Sequence, residues 1–195
     1  MTAVTANDVS VVILAGGRGQ RMGGQDKGLV PYKRQALIEH VIAAMRAQTD
    51  NILINANRNL AQYAGFGYPV IEDTMDNFQG PLAGFLAAMN AVNTRYILTL
   101  PCDGPVIVAD YLQRMLQALN ESGCDIAVAS DGHRMQPVYA LIPVALKASL
   151  QQFLEAGERK IDIWYAQHSV TEVEFDADSG LFTNMNTPDD LKKYG

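Results

Sequence analysis

Short apolar runs and helical stripes alternate along the whole chain. Val9–Leu14 is apolar apart from Ser10, and the next apolar stripe falls at 37, 38, 41, 42 and 45. That spacing is one face of a helix over Ala36–Gln48. Asn51–Asn55 and the shorter Pro69–Ile71 read as strands. Pro81–Val92 reads as a helix entered by Gly80, with proline in the first turn where a missing N–H costs nothing. Tyr96–Leu100 is a strand apolar on both faces except for Thr99, and Ala109–Glu121 is a helix. Asp125–Ala129 and Pro137–Ile142 are strands, Val144–Glu155 and Lys160–Gln167 are helical, and Ser169–Phe175 alternates as a strand. Pro188–Tyr194 is a last helix. Strands buried on both faces and alternating with helices predict an α/β fold, a mainly parallel sheet covered on both sides. No repeat, low-complexity tract or linker divides residues 1–195, so a single domain is expected.

Open sheets of this kind bind ligands beyond the carboxyl ends of their strands. The end of the first strand is the most informative stretch. After Leu14 and Ala15, five glycines (Gly16, Gly17, Gly19, Gly23 and Gly24) fall within nine positions, with Arg18, Arg21 and Lys27 around them. Bare backbone lets amides approach a ligand closely, and clustered cations favour a polyphosphate. Two familiar phosphate loops fail on spacing. Lys27 follows Asp26 and precedes Gly28, which breaks the G-x-x-x-x-G-K-[ST] pattern. Gly17, Gly19 and Gly23 give a dinucleotide-type spacing one residue too long. A tight strand-to-helix connection is the competing reading of any glycine-rich turn. Polar residues also end the later strands: Asn55–Arg58, Asp73 and Asp103.

Composition narrows the class. With 195 residues, 48% hydrophobic content and 18% charge, the chain is long enough for one full core. A net charge of −6 argues against a nucleic-acid partner, so attraction for phosphate must come from local cations and a bound metal. The uncharged apolar-rich run Pro137–Leu146 is far short of a membrane span, and residues 1–8 lack a basic region ahead of the short apolar run. A cytoplasmic location without membrane association is expected. Cys102 and Cys124 are too few for a disulfide scaffold, and His40, His133 and His168 are scattered. Cys102 reads as a small buried residue.

Several residues admit two readings from the sequence alone. Asp103, boxed by Pro101 and Pro105, is either a turn-capping aspartate or a carboxylate for Mg²⁺, which takes one or two carboxylates plus phosphate oxygens. Asn186 reads as part of the helix entry before Thr187-Pro188. Lys27 and Arg21 are either solvated charges or phosphate contacts, the lysine as a point charge and the arginine as a planar fork. Asp26 is placed to orient Lys27. Gly80 and Gly84, four apart, either let a neighbouring element pack closely or let a flat base lie against backbone near Pro81 and Leu82. Asn55 has donor and acceptor for a base edge, and Asp73 an acceptor-only carboxylate for the donor edge of guanine or for ribose. Arg159-Lys160 is otherwise a solvated pair.

The segment Leu14-Ala-Gly-Gly, Arg21-Met-Gly-Gly and Asp26-Lys-Gly-Leu resembles the signature of nucleotidyltransferases that activate sugars, alditols and pterins. In this form it is most similar to the molybdenum cofactor guanylyltransferases. Relatives that transfer cytidylyl groups more usually carry Leu-Ala-Ala-Gly and Asn-Lys. The similarity continues in order through Asn55–Arg58, Glu72-Asp73, Gly80–Gly84, Pro101–Pro105, Gly157–Arg159 and Asn184–Pro188. One departure is Gly104, where relatives often carry a side chain.

The resemblance implies a three-layer, doubly wound, Rossmann-like nucleotidyltransferase fold, the first half binding GTP and the second molybdopterin. It places GTP at Leu14, Ala15, Gly16, Gly17, Lys27, Asn55, Asp73, Gly80, Leu82, Gly84 and Asp103. It makes Asp103 the Mg²⁺ ligand, with Asn186 a candidate second ligand, and Arg21, Lys27 and Asp103 the catalytic set. Arg159, Asn184 and Asn186 would face the acceptor. The activity implied is transfer of GMP from GTP to the terminal phosphate of molybdenum-molybdopterin, releasing pyrophosphate. Cofactor-insertion proteins and molybdoenzyme chaperones are the implied protein partners. Two rivals are a cytidylyltransferase acting on molybdopterin or an alditol phosphate, and a nucleotide sensor that keeps the fold without catalysis.

Overall fold

In the computed structural model the described residues are 3–17, 26–75 and 80–194. A seven-stranded sheet runs in the order β5-β4-β1-β6-β8-β7-β9. Its strands are β1 (Val9–Leu14), β4 (Ile52–Asn55), β5 (Val70–Ile71), β6 (Tyr96–Pro101), β7 (Ile126–Ser130), β8 (Met135–Pro143) and β9 (Val170–Glu174). β1 pairs in parallel with β4 on one side and with β6 on the other. The chain therefore steps outward through β4 and β5, then returns past β1 to build the other half. The reversal lies between β1 and β6, and the crevice at their carboxyl ends is where such sheets hold ligands.

The one antiparallel strand of the large sheet is β8, which pairs with both β6 and β7. Only residues 131–134 join β7 to β8. A link that short can turn the chain back beside itself but cannot carry a parallel crossover.

Helices cover both faces and divide the apolar residues by strand alternation. Val9, Val11 and Ile13 of β1 face one cluster with α1 (Leu37–Arg46), α2 (Leu60–Ala64) and α4 (Tyr111–Ser122). Val12 faces the other with α3 (Pro81–Ala91), α5 (Lys147–Glu155) and α6 (Ile161–Tyr165). The buried residues of α1 are Leu37, Ile38, Val41, Ile42 and Met45, the stripe read from sequence. α6 is shorter than the Lys160–Gln167 expected. A hairpin, β2 (Pro31–Tyr32) with β3 (Gln35–Ala36), and α2 were not anticipated. The hairpin turns through Lys33 and Arg34 at positive φ, without the glycine or asparagine that normally signals such a turn. A last helix, α7 (Pro188–Tyr194), is entered by a reciprocal cap. Asp190 Oδ2 accepts from the Thr187 N–H at 2.8 Å, and Thr187 Oγ1 accepts from the Asp190 N–H at 3.2 Å. Among the described residues no helix is long and apolar enough to cross a membrane.

Thr99, the polar exception in β6, is fully buried and donates to the Val138 carbonyl at 2.6 Å. Thr99→Val should keep the shape and lose that bond. We expect unfolding free energy in urea to fall by about 1–2 kcal/mol, with an unchanged denaturant slope.

Candidate active site

The carboxyl ends of β1, β4 and β6 meet here because the strands lie in register. Leu14 pairs with Asn55 and with Pro101. The ladder extends past the strands: the Ala15 N–H donates to the Asn55 carbonyl at 2.7 Å and the Cys102 N–H to the Leu14 carbonyl at 3.1 Å. Gly16 and Gly17 therefore leave β1 one step from Asn55 on one side and Asp103 on the other. Residues 18–25, including Arg21 and three of the loop glycines, lie outside the described residues.

Lys27 re-enters at the start of a short 3-10 turn, Lys27–Leu29. Its ammonium donates to Asp103 Oδ2 at 3.1 Å and to Asn186 Oδ1 at 2.5 Å. Three distant segments thus meet at one nitrogen, in a half-buried setting where water screens the ion pair only partly. Asn186 belongs to the helix entry and also meets Lys27. Its backbone N–H donates to the Asp190 cap at 3.0 Å, while its side-chain oxygen faces Lys27.

The two oxygens around that ammonium also test the metal expectation. A carboxylate and an amide oxygen already share a cation there, which is a donor set Mg²⁺ accepts together with phosphate oxygens. No group of three or more His, Cys, Asp or Glu suited to a metal occurs among the described residues. Any metal held here would therefore draw its remaining ligands from substrate and water.

Asp26 does not orient Lys27 through its own carboxylate. That carboxylate is buried and accepts from the Tyr63 hydroxyl at 2.5 Å and Asn59 Nδ2 at 3.1 Å. Burial, reinforced by Cys102 and Asp26, pushes the Tyr63 hydroxyl far above the ordinary tyrosine range, so it remains a donor. Asp26 therefore ties the returning loop to α2, and Lys27 is aimed by backbone. Gly28 makes room for this tie, since a Cβ there would lie 2.6 Å from the Tyr63 hydroxyl oxygen and 3.3 Å from Cys102 Sγ. Cys102 is buried as expected, and burial pushes its thiol up, away from any nucleophilic role.

On the β4 side, Asp73 is held by two amides. Asn55 Nδ2 donates to Oδ1 at 2.9 Å and Asn57 Nδ2 to Oδ2 at 2.7 Å, while the Asp73 N–H returns a bond to Asn57 Oδ1 at 2.8 Å. Asn57 was not singled out from sequence. Its signal was the asparagine repeat Asn55-Ala-Asn57, which puts two amides on opposite sides of one carboxylate only after β5 brings Asp73 alongside.

The glycines serve this network. A Cβ on Gly16 would lie 2.7 Å from Asn57 Nδ2, and one on Gly84 would lie 2.5 Å from Asn55 Oδ1 and 2.8 Å from Leu14 Cδ2. The Cβ direction of Gly84 is thus filled by Asn55 and Leu14, the close approach that two glycines four apart allow. Leu82 is likewise fully buried in the core, so only its backbone can face a ligand. Gly80 sits at the mouth of α3 with φ +81, a conformation that favours glycine. Arg58 Nη2 donates to the Gly17 carbonyl at 3.0 Å across the loop entry.

The second half contributes a strap over residues 181–186. The Met185 N–H donates to the Asp103 carbonyl at 2.8 Å, and Asn184 Oδ1 accepts from the Tyr139 hydroxyl at 3.3 Å. Arg159, after α5, donates to the Leu154 carbonyl at 2.7 Å and to the Glu158 carbonyl at 2.5 Å. His40 and His168 serve structural contacts with the Tyr32 carbonyl and Ser149 Oγ, and His133 is exposed.

With this geometry in view, comparisons with known proteins agree with one another. Residues 11–171 match the family described as the MobA-like NTP transferase domain. The chain is 49% identical over 181 residues to the molybdenum cofactor guanylyltransferase of Shewanella sediminis, covering 93% of this chain and 92% of that one. It is 47% identical over 187 residues to the enzyme of the same name from Shewanella halifaxensis, covering 96% and 94%. A crystal structure of molybdopterin-guanine dinucleotide biosynthesis protein A from Archaeoglobus fulgidus superposes with a TM-score of 0.78 at 24% identity, covering 94% of this chain and 95% of that one. At that identity the superposition speaks for the fold.

Tyr63→Phe should leave one oxygen of buried Asp26 without its donor. We expect a stability loss of about 1–3 kcal/mol and faster hydrogen exchange at the Leu29 and Val30 amides, which close the turn carrying Lys27.

Proposed function

Because the chain belongs to the molybdenum cofactor guanylyltransferases, a family of nucleotidyltransferases, we propose that it transfers GMP from GTP to the terminal phosphate of molybdenum-molybdopterin. The observation that carries this reading is the Lys27 ammonium shared by Asp103 and Asn186 at the β1/β6 crevice. It joins the loop expected to cradle a triphosphate to the strap expected to meet the acceptor.

In the proposed reaction an oxygen of the acceptor phosphate attacks the α-phosphorus of GTP. The bond from that phosphorus to the bridging oxygen of the β-phosphate breaks, and pyrophosphate leaves with the electron pair. A phosphate monoester loses its second proton near pH 6, so the nucleophile is already ionised and needs no general base. This suits a site in which Cys102 is buried, His40 and His168 serve structural contacts elsewhere, and His133 is exposed on the β7–β8 link. Catalysis then rests on alignment and charge compensation. Asp103, with Asn186 beside it, would hold Mg²⁺, which when bound supplies positive charge to the reacting phosphates. Lys27 supplies a second cation on the same side, and Arg21, outside the described residues, is the further cation that the family resemblance implies.

On the nucleotide side, Asp73 would read the donor edge of guanine, with Asn55 and Asn57 fixing its orientation. The acceptor would lie towards Asn184, Asn186 and Arg159. A cytoplasmic location and hand-over of the product to insertion and chaperone proteins belong to the same proposal.

Pyrophosphate release with GTP, Mg²⁺ and molybdenum-molybdopterin tests it directly. Asp103→Ala should lower kcat by about a hundredfold or more, and near-normal turnover would remove its role. Lys27→Ala should lower kcat/KM for GTP to a similar degree. GTP at one hundred times its Kd should stabilise the protein by about 2.7 kcal/mol, seen as a raised Tm. CTP should give no such shift, and a larger shift with CTP would overturn the choice of nucleotide. Asn57→Ala should narrow the preference for GTP over ITP, which lacks the 2-amino donor, without abolishing turnover.

A further inference from the structure

Gly104 follows the metal-site candidate Asp103, and its backbone gives no reason for glycine, since it is not among the residues at positive φ. The reason is space. A Cβ at 104 would run into the Tyr139 hydroxyl oxygen and lie 3.2 Å from Asn184 Oδ1, while the Tyr139 ring carbon Cζ would be at an ordinary 3.6 Å. The hydroxyl has been brought into the room that a side chain at 104 would fill.

Tyr139 comes from β8, in the second half of the sheet, and is almost fully buried. It holds the strap at three points. Its hydroxyl donates to the Leu181 carbonyl at 3.1 Å and shares its one proton with Asn184 Oδ1 at 3.3 Å. Its ring meets Phe182 edge-on, with centroids 5.3 Å apart. One residue later the strap is fastened to the Asp103 carbonyl through the Met185 N–H, and at Asn186 it reaches Lys27. Burial and the neighbouring Asp103 keep the hydroxyl protonated, so it stays a donor.

We propose that Tyr139 is a positioning residue that sets the 181–186 strap against the Asp103 loop, and that glycine at 104 is the space this hydroxyl requires. The inference rests on the reading above that the strap faces the acceptor. The pair 104/139 then forms one packing unit, in which the hydroxyl on β8 replaces a side chain on the metal loop. It orients Asn184 for the acceptor while leaving the nucleotide side, held by Asn55, Asn57 and Asp73, untouched.

The test is a double-mutant cycle of Gly104→Ala and Tyr139→Phe in the full chain, with Asn184→Ala alongside. The readouts are KM for molybdenum-molybdopterin, Kd for GTP measured without acceptor, and Tm. Tyr139→Phe should raise the acceptor KM about tenfold and leave the GTP Kd within about twofold. Gly104→Ala should be worse than that. The double variant should be better than Gly104→Ala alone, because removing the hydroxyl clears the atom the new methyl would strike. A Tyr139→Phe variant that loses only Tm, or a double variant that is additive, overturns the inference. If Asn184→Ala raises the acceptor KM and Tyr139→Phe does not, this inference alone fails. If Asn184→Ala leaves the acceptor KM unchanged, the acceptor reading of the strap fails and takes the inference with it.

Discussion

The site depends on one half-buried ammonium. Lys27 draws together the loop after β1, the end of β6 and the strap before α7, segments that share no neighbouring sequence. A cation between a carboxylate and an amide oxygen compensates the charge of Asp103 in a crevice where water does so poorly. It also keeps the residues proposed to handle phosphate and metal within a few ångströms of each other before either arrives. Such a site is organised by charges that a ligand can take over.

Around this cation, rigidity comes from neutral or firmly protonated donors. Tyr63 holds Asp26, Asn55 and Asn57 hold Asp73, and Tyr139 holds the strap. Each donor reaches its partner across a glycine: Gly28, Gly16 or Gly84, and Gly104. These positions read as freedom of the backbone in the sequence, but in the fold they mostly provide close approach. Among the described site glycines, only Gly80 has a positive φ. The same residues would make poor hosts for even a methyl group, because interiors this dense have little room to relax.

The sheet and its helices were legible because burial imposes a period. β1 fills the apolar run Val9–Leu14, and the stripe of α1 matches its buried face residue for residue. The β2–β3 hairpin and α2 escaped because neither carries a long enough period, and Lys33-Arg34 hides a turn in residues that do not advertise one. The site residues at strand ends were legible by type and position. Their partners were not: Asp26 was assigned to its sequence neighbour Lys27 when its donors are Tyr63 and Asn59. The contact of Asn55 and Leu14 with Gly84 is likewise invisible in its spacing from Gly80.

By itself, then, the sequence determined the class of fold, the end of the sheet where chemistry gathers, and the kind of groups found there. Hydrophobic periodicity and residue type are local properties, so a single chain can be read for them. Which carboxylate meets which cation, and which tyrosine fills the space beside a glycine, was decided only when β1, β6 and β8 packed side by side. The contacts of Lys27 alone span 76 and 159 positions of sequence, and such pairings follow from strand order and register, which no local pattern encodes.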